Sequence, residues 1–207
     1  MIEYKNLDVE YDQIVILDLL SDTERTNWRI TTELNTLLTG EKFSTKIINL
    51  TNKKELLDAL QNLTAEAKSG KRFMLHFVGH GDDQCICFNH SGEDIFWSEL
   101  EEPLRYLHGA TDYSLILNMT TCKGLNVIKA VDHLKEELPF FGIIGYSGDL
   151  GVDLGIEANK IFYLSMANGN PIQRVIEEVK KKTNDDNFNC ITAQGFAVIK
   201  NKIEPQN

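Results

Sequence analysis

At 207 residues, with 42% hydrophobic and 25% charged residues, the chain has an ordinary globular composition and room for one sizeable core, which excludes disordered and low-complexity classes. Its formal charge of −10 repels phosphate backbones and argues against direct binding of nucleic acid. No run approaches the ~18 apolar residues of a membrane span, Met1-Ile2-Glu3-Tyr4-Lys5 lacks the apolar stretch of a secretory signal, and four cysteines are sparse for a disulfide scaffold. The expectation is a cytoplasmic chain with free thiols and no insertion into membrane.

The first apolar run, Ile14-Val15-Ile16-Leu17, is short and branched, as strands buried on both faces are. Helical spacing follows from Thr31 to Leu38, then a second strand over Lys46-Ile47-Ile48-Asn49-Leu50. Leu56, Leu57, Leu60, Leu63 and Ala67 share one helical face, with Thr51 and Asn52 as candidate caps. Phe73-Met74-Leu75-His76-Phe77-Val78 reads as the third strand. Two short strands, Cys85 to Phe88 and Ile95 to Trp97, flank the turn-forming Asn89-His90-Ser91-Gly92 and predict a side hairpin. A helix then starts at Ser98 as cap or at Pro103 as first turn, ahead of a fourth strand over Leu115 to Met119. The pattern continues with a helix from Leu125 to Leu138, a fifth strand from Phe140 to Gly145, helices over Glu157–Ala167 and Ile172–Lys182, a polar loop at Asn184-Asp185-Asp186-Asn187 and a last strand from Gly195 to Ile199. Strand and helix alternate throughout. That predicts a three-layer α/β fold: a mostly parallel sheet of about six strands between helices, plus a small hairpin. No repeat, linker or composition shift divides residues 1–207, so one domain is expected, its core spanning about 10–200.

In open α/β sheets ligands gather at the carboxyl ends of strands. No P-loop, dinucleotide fingerprint or nucleophile elbow follows any strand, and Cys85-x-Cys87 lacks the spacing and histidines of a structural zinc site. The third strand instead ends in Gly79-His80-Gly81 and the fourth in Thr120-Thr121-Cys122-Lys123-Gly124. A histidine between glycines leaves room for a substrate backbone, and a thiol on the next strand end needs such a base because a free thiol is mostly protonated at neutral pH. The N–H groups of Gly81 and Cys122 are the expected oxyanion donors. His76, four residues before His80, reads as a packing residue with a supporting role as the alternative; Cys85, Cys87 and Cys190 read as packing residues.

At these residues the sequence resembles the caspase-like (clan CD) cysteine peptidases, most closely their bacterial CHAT branch. His76-x-x-x-His80-Gly81 followed by Leu115-Ile116-Leu117-Asn118-Met119-Thr120-Thr121-Cys122-Lys123-Gly124 matches the family's His-Gly and Cys-Gly signatures. Phe96-Trp97-Ser98-Glu99-Leu100, Phe140 to Gly148 and Ile161 to Gly169 extend the likeness. The resemblance implies that Cys122 attacks a peptide carbonyl, that His80 handles the proton without a third acid, and that no metal or organic cofactor takes part. It further implies a protein substrate and a bacterial defence or cell-death setting, with a sensor or activator on a separate polypeptide. For specificity, Thr120 stands where relatives that cut after Arg or Lys carry Asp, so a small or apolar residue before the scissile bond is expected. Asp149 and Asp153 are the alternative, an acidic wall; Arg25 and Arg29 follow the first strand with no direction legible. Two other classes stay open: a catalytically inactive interaction module, and a receiver-like domain in which Asp18 would hold Mg²⁺.

Overall fold

The computed structural model describes residues 11–41, 43–131 and 138–192. Its centre is a six-stranded sheet in the order β2-β1-β3-β7-β8-β9, built from β1 (Gln13–Asp18), β2 (Thr45–Asn49), β3 (Phe73–Val78), β7 (Ile116–Thr120), β8 (Gly142–Tyr146) and β9 (Phe188–Thr192). All neighbours are parallel except β8 and β9. A second, antiparallel sheet joins β4 (His80–Gly81), β5 (Cys85–Phe88) and β6 (Glu93–Phe96).

Strand alternation sorts the core into two halves. Val15, Leu17, Leu75, Phe77, Leu117 and Met119 face one side, packed with Leu56, Leu60 and Leu63 of α3 (Lys53–Ala67) and Leu100, Leu104 and Leu107 of α4 (Trp97–Ala110). Ile14, Ile16, Met74 and Val78 face the other, against α2 (Ile30–Gly40), α5 (Val152–Ala167) and α6 (Ile172–Thr183). Among the described residues, no helix is long and apolar enough to cross a membrane.

Three local expectations change. A short helix, α1 (Asp22–Trp28), follows β1; it buries no residue, so it carries no apolar stripe, and its signature is the capping box Ser21-x-x-Glu24. The helix before β7 starts at Trp97, where Glu99 accepts from the Phe96 N–H, and Pro103 lies inside it rather than at its first turn. The helix expected from Leu125 is a 3-10 helix over Gly124–Ala130, and residues 132–137 lie outside the described residues. The last described strand is Phe188–Thr192, antiparallel to β8, while Gly195 to Ile199 lies outside the described residues.

Candidate active site

The chain runs from β1 outward to β2 and then returns across β1 to β3, so the strand order reverses between β1 and β3. A crevice opens at such a point beyond the carboxyl ends, because the two connections leave in opposite directions. In the register of β3 with β7, Val78 stands opposite Thr120. His80 and Cys122 therefore both lie two residues past the last paired position of adjacent strands. The segments touch: a Cβ added at Gly81 would lie 3.0 Å from the Cys122 carbonyl oxygen and 3.2 Å from the Thr121 Cβ. Only glycine lets the strand after His80 pass this close to the cysteine.

Behind Cys122 the turn is equally tight. A Cβ at Gly124 would meet Thr121 Oγ1 at 2.6 Å and Met119 Cβ at 2.7 Å, and one at Gly145 would meet the Met119 carbonyl oxygen at 2.7 Å. Lys123 takes the left-handed conformation (φ 52°), and its N–H donates to the Gly148 carbonyl at 2.8 Å. Its ammonium reaches Asp83 at 3.1 Å, while Asn126 donates to the same carboxylate at 2.7 Å, tying the His80 loop to the Cys122 loop. The Cys122 N–H has no acceptor among the described residues. Its thiol is bonded to the loop after β8: Sγ accepts from the Leu150 N–H at 3.2 Å and lies 3.7 Å from the Leu150 carbonyl. No hydrogen bond joins Cys122 Sγ to His80.

His80 is held from the other side of the crevice. Its Nε2 lies 2.8 Å from Glu24 Oε1, on α1, and the edge of the Trp28 ring stands 5.4 Å from the imidazole, centroid to centroid. Burial raises the Glu24 carboxyl, but the Ser21 hydroxyl and N–H, Asn89 and His80 all donate to it and outweigh that effect, holding it at about 2. Glu24 is thus ionised at neutral pH and fixes the tautomer: Nε2 carries the proton and Nδ1 keeps its lone pair. Sequence reasoning passed over Glu24. The capping box locates its helix, but only the adjacency of β1 and β3 brings it to His80, 56 residues away.

The other sequence-predicted positions separate into two groups. Asp149 and Asp153 are exposed, one in the loop that holds the thiol and one in the first turn of α5. Thr120 is buried and turned inward, bonded to His76 Nε2 at 2.7 Å and accepting from Asn159 at 2.9 Å. It supports the sheet and presents nothing to a substrate, and the expectation of a small or apolar preference that rested on it loses its argument. His76 is fully buried between Thr120 and the Tyr163 hydroxyl, 2.7 Å from each, and burial pushes its pKa down to about 3. Asn118 and Asn159 complete this network. Asp18 is fully buried and satisfied by the Leu20 N–H, Arg25 Nε at 3.1 Å and the Thr31 hydroxyl at 2.6 Å, which leaves no open carboxylate for Mg²⁺. Arg25 is spent on Asp18, Asp22 and the Leu20 carbonyl, while Arg29 is exposed. All four cysteines are unpaired. A concavity of about 640 Å³ lies elsewhere, between β2 and α3, with the ion pair Lys46–Glu66 in its lining.

No protein-family model matches the sequence, and no curated protein matches it. Solved structures do match. The Drosophila initiator caspase Dronc aligns with a TM-score of 0.64 at 11% identity, over 93% of this chain and 84% of that one. The Arg-specific cysteine proteinase gingipain R aligns with a TM-score of 0.55 at 12% identity, over 90% of this chain and 47% of that one. At these identities the likeness is one of fold: the chain has the caspase-like fold shared by these two cysteine peptidases.

Proposed function

We propose that the chain is a cysteine endopeptidase in which Cys122 is the nucleophile, His80 the general base and acid, and Glu24 a positioning residue. One observation carries this reading: His80 and Cys122 follow neighbouring strands at the crevice of a fold shared with a caspase and a gingipain. The chemistry follows from the tautomer. Nδ1 takes the thiol proton, the thiolate sulfur bonds to the peptide carbonyl carbon, and the Cys122 and Gly81 N–H groups receive the oxyanion. The imidazolium then gives its proton to the leaving amine, and a water deprotonated by His80 hydrolyses the thioester. Glu24 stays ionised and stabilises the imidazolium. The exposed carboxylates Asp149 and Asp153 line the substrate side of the cleft. No metal or cofactor enters these steps.

The substrate in this reading is a protein, and the setting is the cytoplasm of a bacterium, in defence or regulated cell death, with a separate sensor or activator. The thiol's bond to Leu150 supports control: until the loop over Ser147–Gly151 lets go, Cys122 is engaged with backbone and not with its base. That same bond favours one rival, an inactive interaction module that keeps the fold. An activity-based thiol probe decides between them. Labelling of the wild type in the presence of its activator, absent in Cys122→Ala and in His80→Ala, is the expected result; equal labelling of Cys122→Ala would overturn the assignment.

A further inference from the structure

Beside the crevice, on the face of the small sheet, three sulfur and oxygen donors converge that the proposed reaction does not use. Asp82 opens the turn between β4 and β5, and Cys85 and Cys87 project from the same side of β5 because they are two residues apart on a strand. Cys85 Sγ lies 3.8 Å from Cys87 Sγ and 3.4 Å from Asp82 Oδ1, and the three ligand atoms all fall within 4.8 Å of one another. Asp94, cross-strand partner of Cys87, brings a second carboxylate, the fourth donor, to the Cys87 thiol. The Asp82 carboxylate is already aimed: the Gln84 and Cys85 N–H groups hold Oδ1 at 2.7 and 2.9 Å, and Oδ2 has no partner among the described residues.

The Cys85–Cys87 and Cys85–Asp82 spacings match edges of a tetrahedron. A zinc ion with bonds of about 2.3 Å to sulfur and about 2.0 Å to oxygen sets its ligands about 3.8 Å apart for two sulfurs and about 3.5 Å for sulfur and oxygen. Two thiolates exclude Mg²⁺ and Ca²⁺, which take oxygen shells, and select borderline or soft divalent ions. We propose that Asp82, Cys85 and Cys87, completed by Asp94, form a binding site for a zinc-class divalent cation. Each ion displaces two thiol protons to solvent and forms two metal–sulfur bonds. His80 stands directly opposite Cys87 in the β4–β5 pair, so an ion here braces the strand that carries the base.

The site is tested on the full chain, reduced and stripped of metal, titrated with Co²⁺ and Zn²⁺. The expected result is one Co²⁺ per chain with thiolate-to-cobalt charge-transfer absorption and tetrahedral visible bands, release of two protons on Zn²⁺ addition, and no response to Mg²⁺. Cys85→Ser with Cys87→Ser should lose the charge-transfer band, and Cys122→Ala should retain it. Because the cysteine pair lies within the hairpin, Asp82→Asn and Asp94→Asn, with circular dichroism of each metal-free variant, provide a second arm; both should weaken binding while the fold persists. Absence of the band in wild type, its loss in Cys122→Ala, or its persistence in the double serine variant would overturn the proposal. None of these readouts depends on peptidase activity.

Discussion

Two histidines four residues apart show how position along one chain segment decides chemistry. His76 sits inside β3, fully buried, with both ring nitrogens bonded to neutral hydroxyls and burial driving its pKa to about 3. His80 lies past the strand end, half-buried, with an ionised carboxylate on Nε2 and, among the described residues, no group bonded to Nδ1. An imidazole enclosed by hydroxyls and apolar packing cannot accept a proton without leaving a buried charge, so it serves as a structural pin. One placed beside Glu24 has an ionised carboxylate at hand to pair with the imidazolium of the proposed reaction. The same residue type is a brace below the strand end and a candidate base above it.

The sharpest break of that contrast is at the upper site. Replacing Cys122 or His80 by alanine should lower peptide cleavage by on the order of 10⁴-fold or more while the melting temperature stays close to wild type; retained turnover would remove the dyad. At the lower site the effect should appear in stability and not in chemistry. His76→Ala leaves a cavity in the core and takes one hydrogen-bond partner from each of the Thr120 and Tyr163 hydroxyls, which keep Asn159 and Asn118, and chemical denaturation should show a loss of about 2–4 kcal/mol, a factor of roughly 30 to 1,000 in the unfolding equilibrium. Loss of activity in His76→Ala without loss of stability would erase the distinction between the two residues.

Glu24→Gln tests whether the upper histidine depends on its carboxylate. The expected change is a fall in kcat of about 10²-fold with KM nearly unchanged, and partial recovery in Glu24→Asp. A residue that only capped α1 would leave kcat intact.

Acid gives the next smaller effect and belongs to the buried histidines. Burial lowers His76 to about 3, and burial followed by the Arg105 charge lowers His108 to about 4, whereas the unfolded chain titrates near 6.5. Folded pKa values below the unfolded value mean that the stabilisation is complete above pH ~6.5. It is lost as the pH falls toward about 4 and then about 3, since only the unfolded chain takes up the protons. Denaturation midpoints should therefore drop between pH 7 and pH 5, by about 1.4 kcal/mol per pH unit for each histidine once below ~6.5. His76→Gln should roughly halve that slope; an unchanged midpoint across the range would contradict the neutral, buried state. The smallest effect is expected at the cleft wall. Asp149→Ala and Asp153→Ala should change the residue preference of a peptide library by a few-fold, on the order of 1 kcal/mol for an exposed charge, with total turnover little altered.

The alternation of apolar runs with helical spacing was sufficient to read the layered α/β fold, because strand burial and helix faces are local periodicities. Five of the six sheet strands follow from it, as does the hairpin. The sixth described strand was not read: Phe188–Thr192 lies at the sheet edge, is interrupted by Asn189 and lacks the continuous apolar run that marks the inner strands, while Gly195 to Ile199 lies outside the described residues. Gly79-His80-Gly81 and Cys122-Lys123-Gly124 were legible as site motifs for a related reason. Their glycines answer to close backbone approaches within and between neighbouring strand ends, and such constraints leave a mark on composition. Thr120 carried no mark of its direction, since strand parity says which residues share a face and not which face meets a substrate. Glu24 lay wholly beyond local reading. Its partner is 56 residues away, and the contact exists only because β1 and β3 are neighbours while β2 is set to the outside. The placement of a carboxylate on His80 and of a backbone loop on Cys122 was decided by tertiary structure, because hydrogen bonds between distant segments are specified by which strands pair, and no short stretch of residues encodes that order.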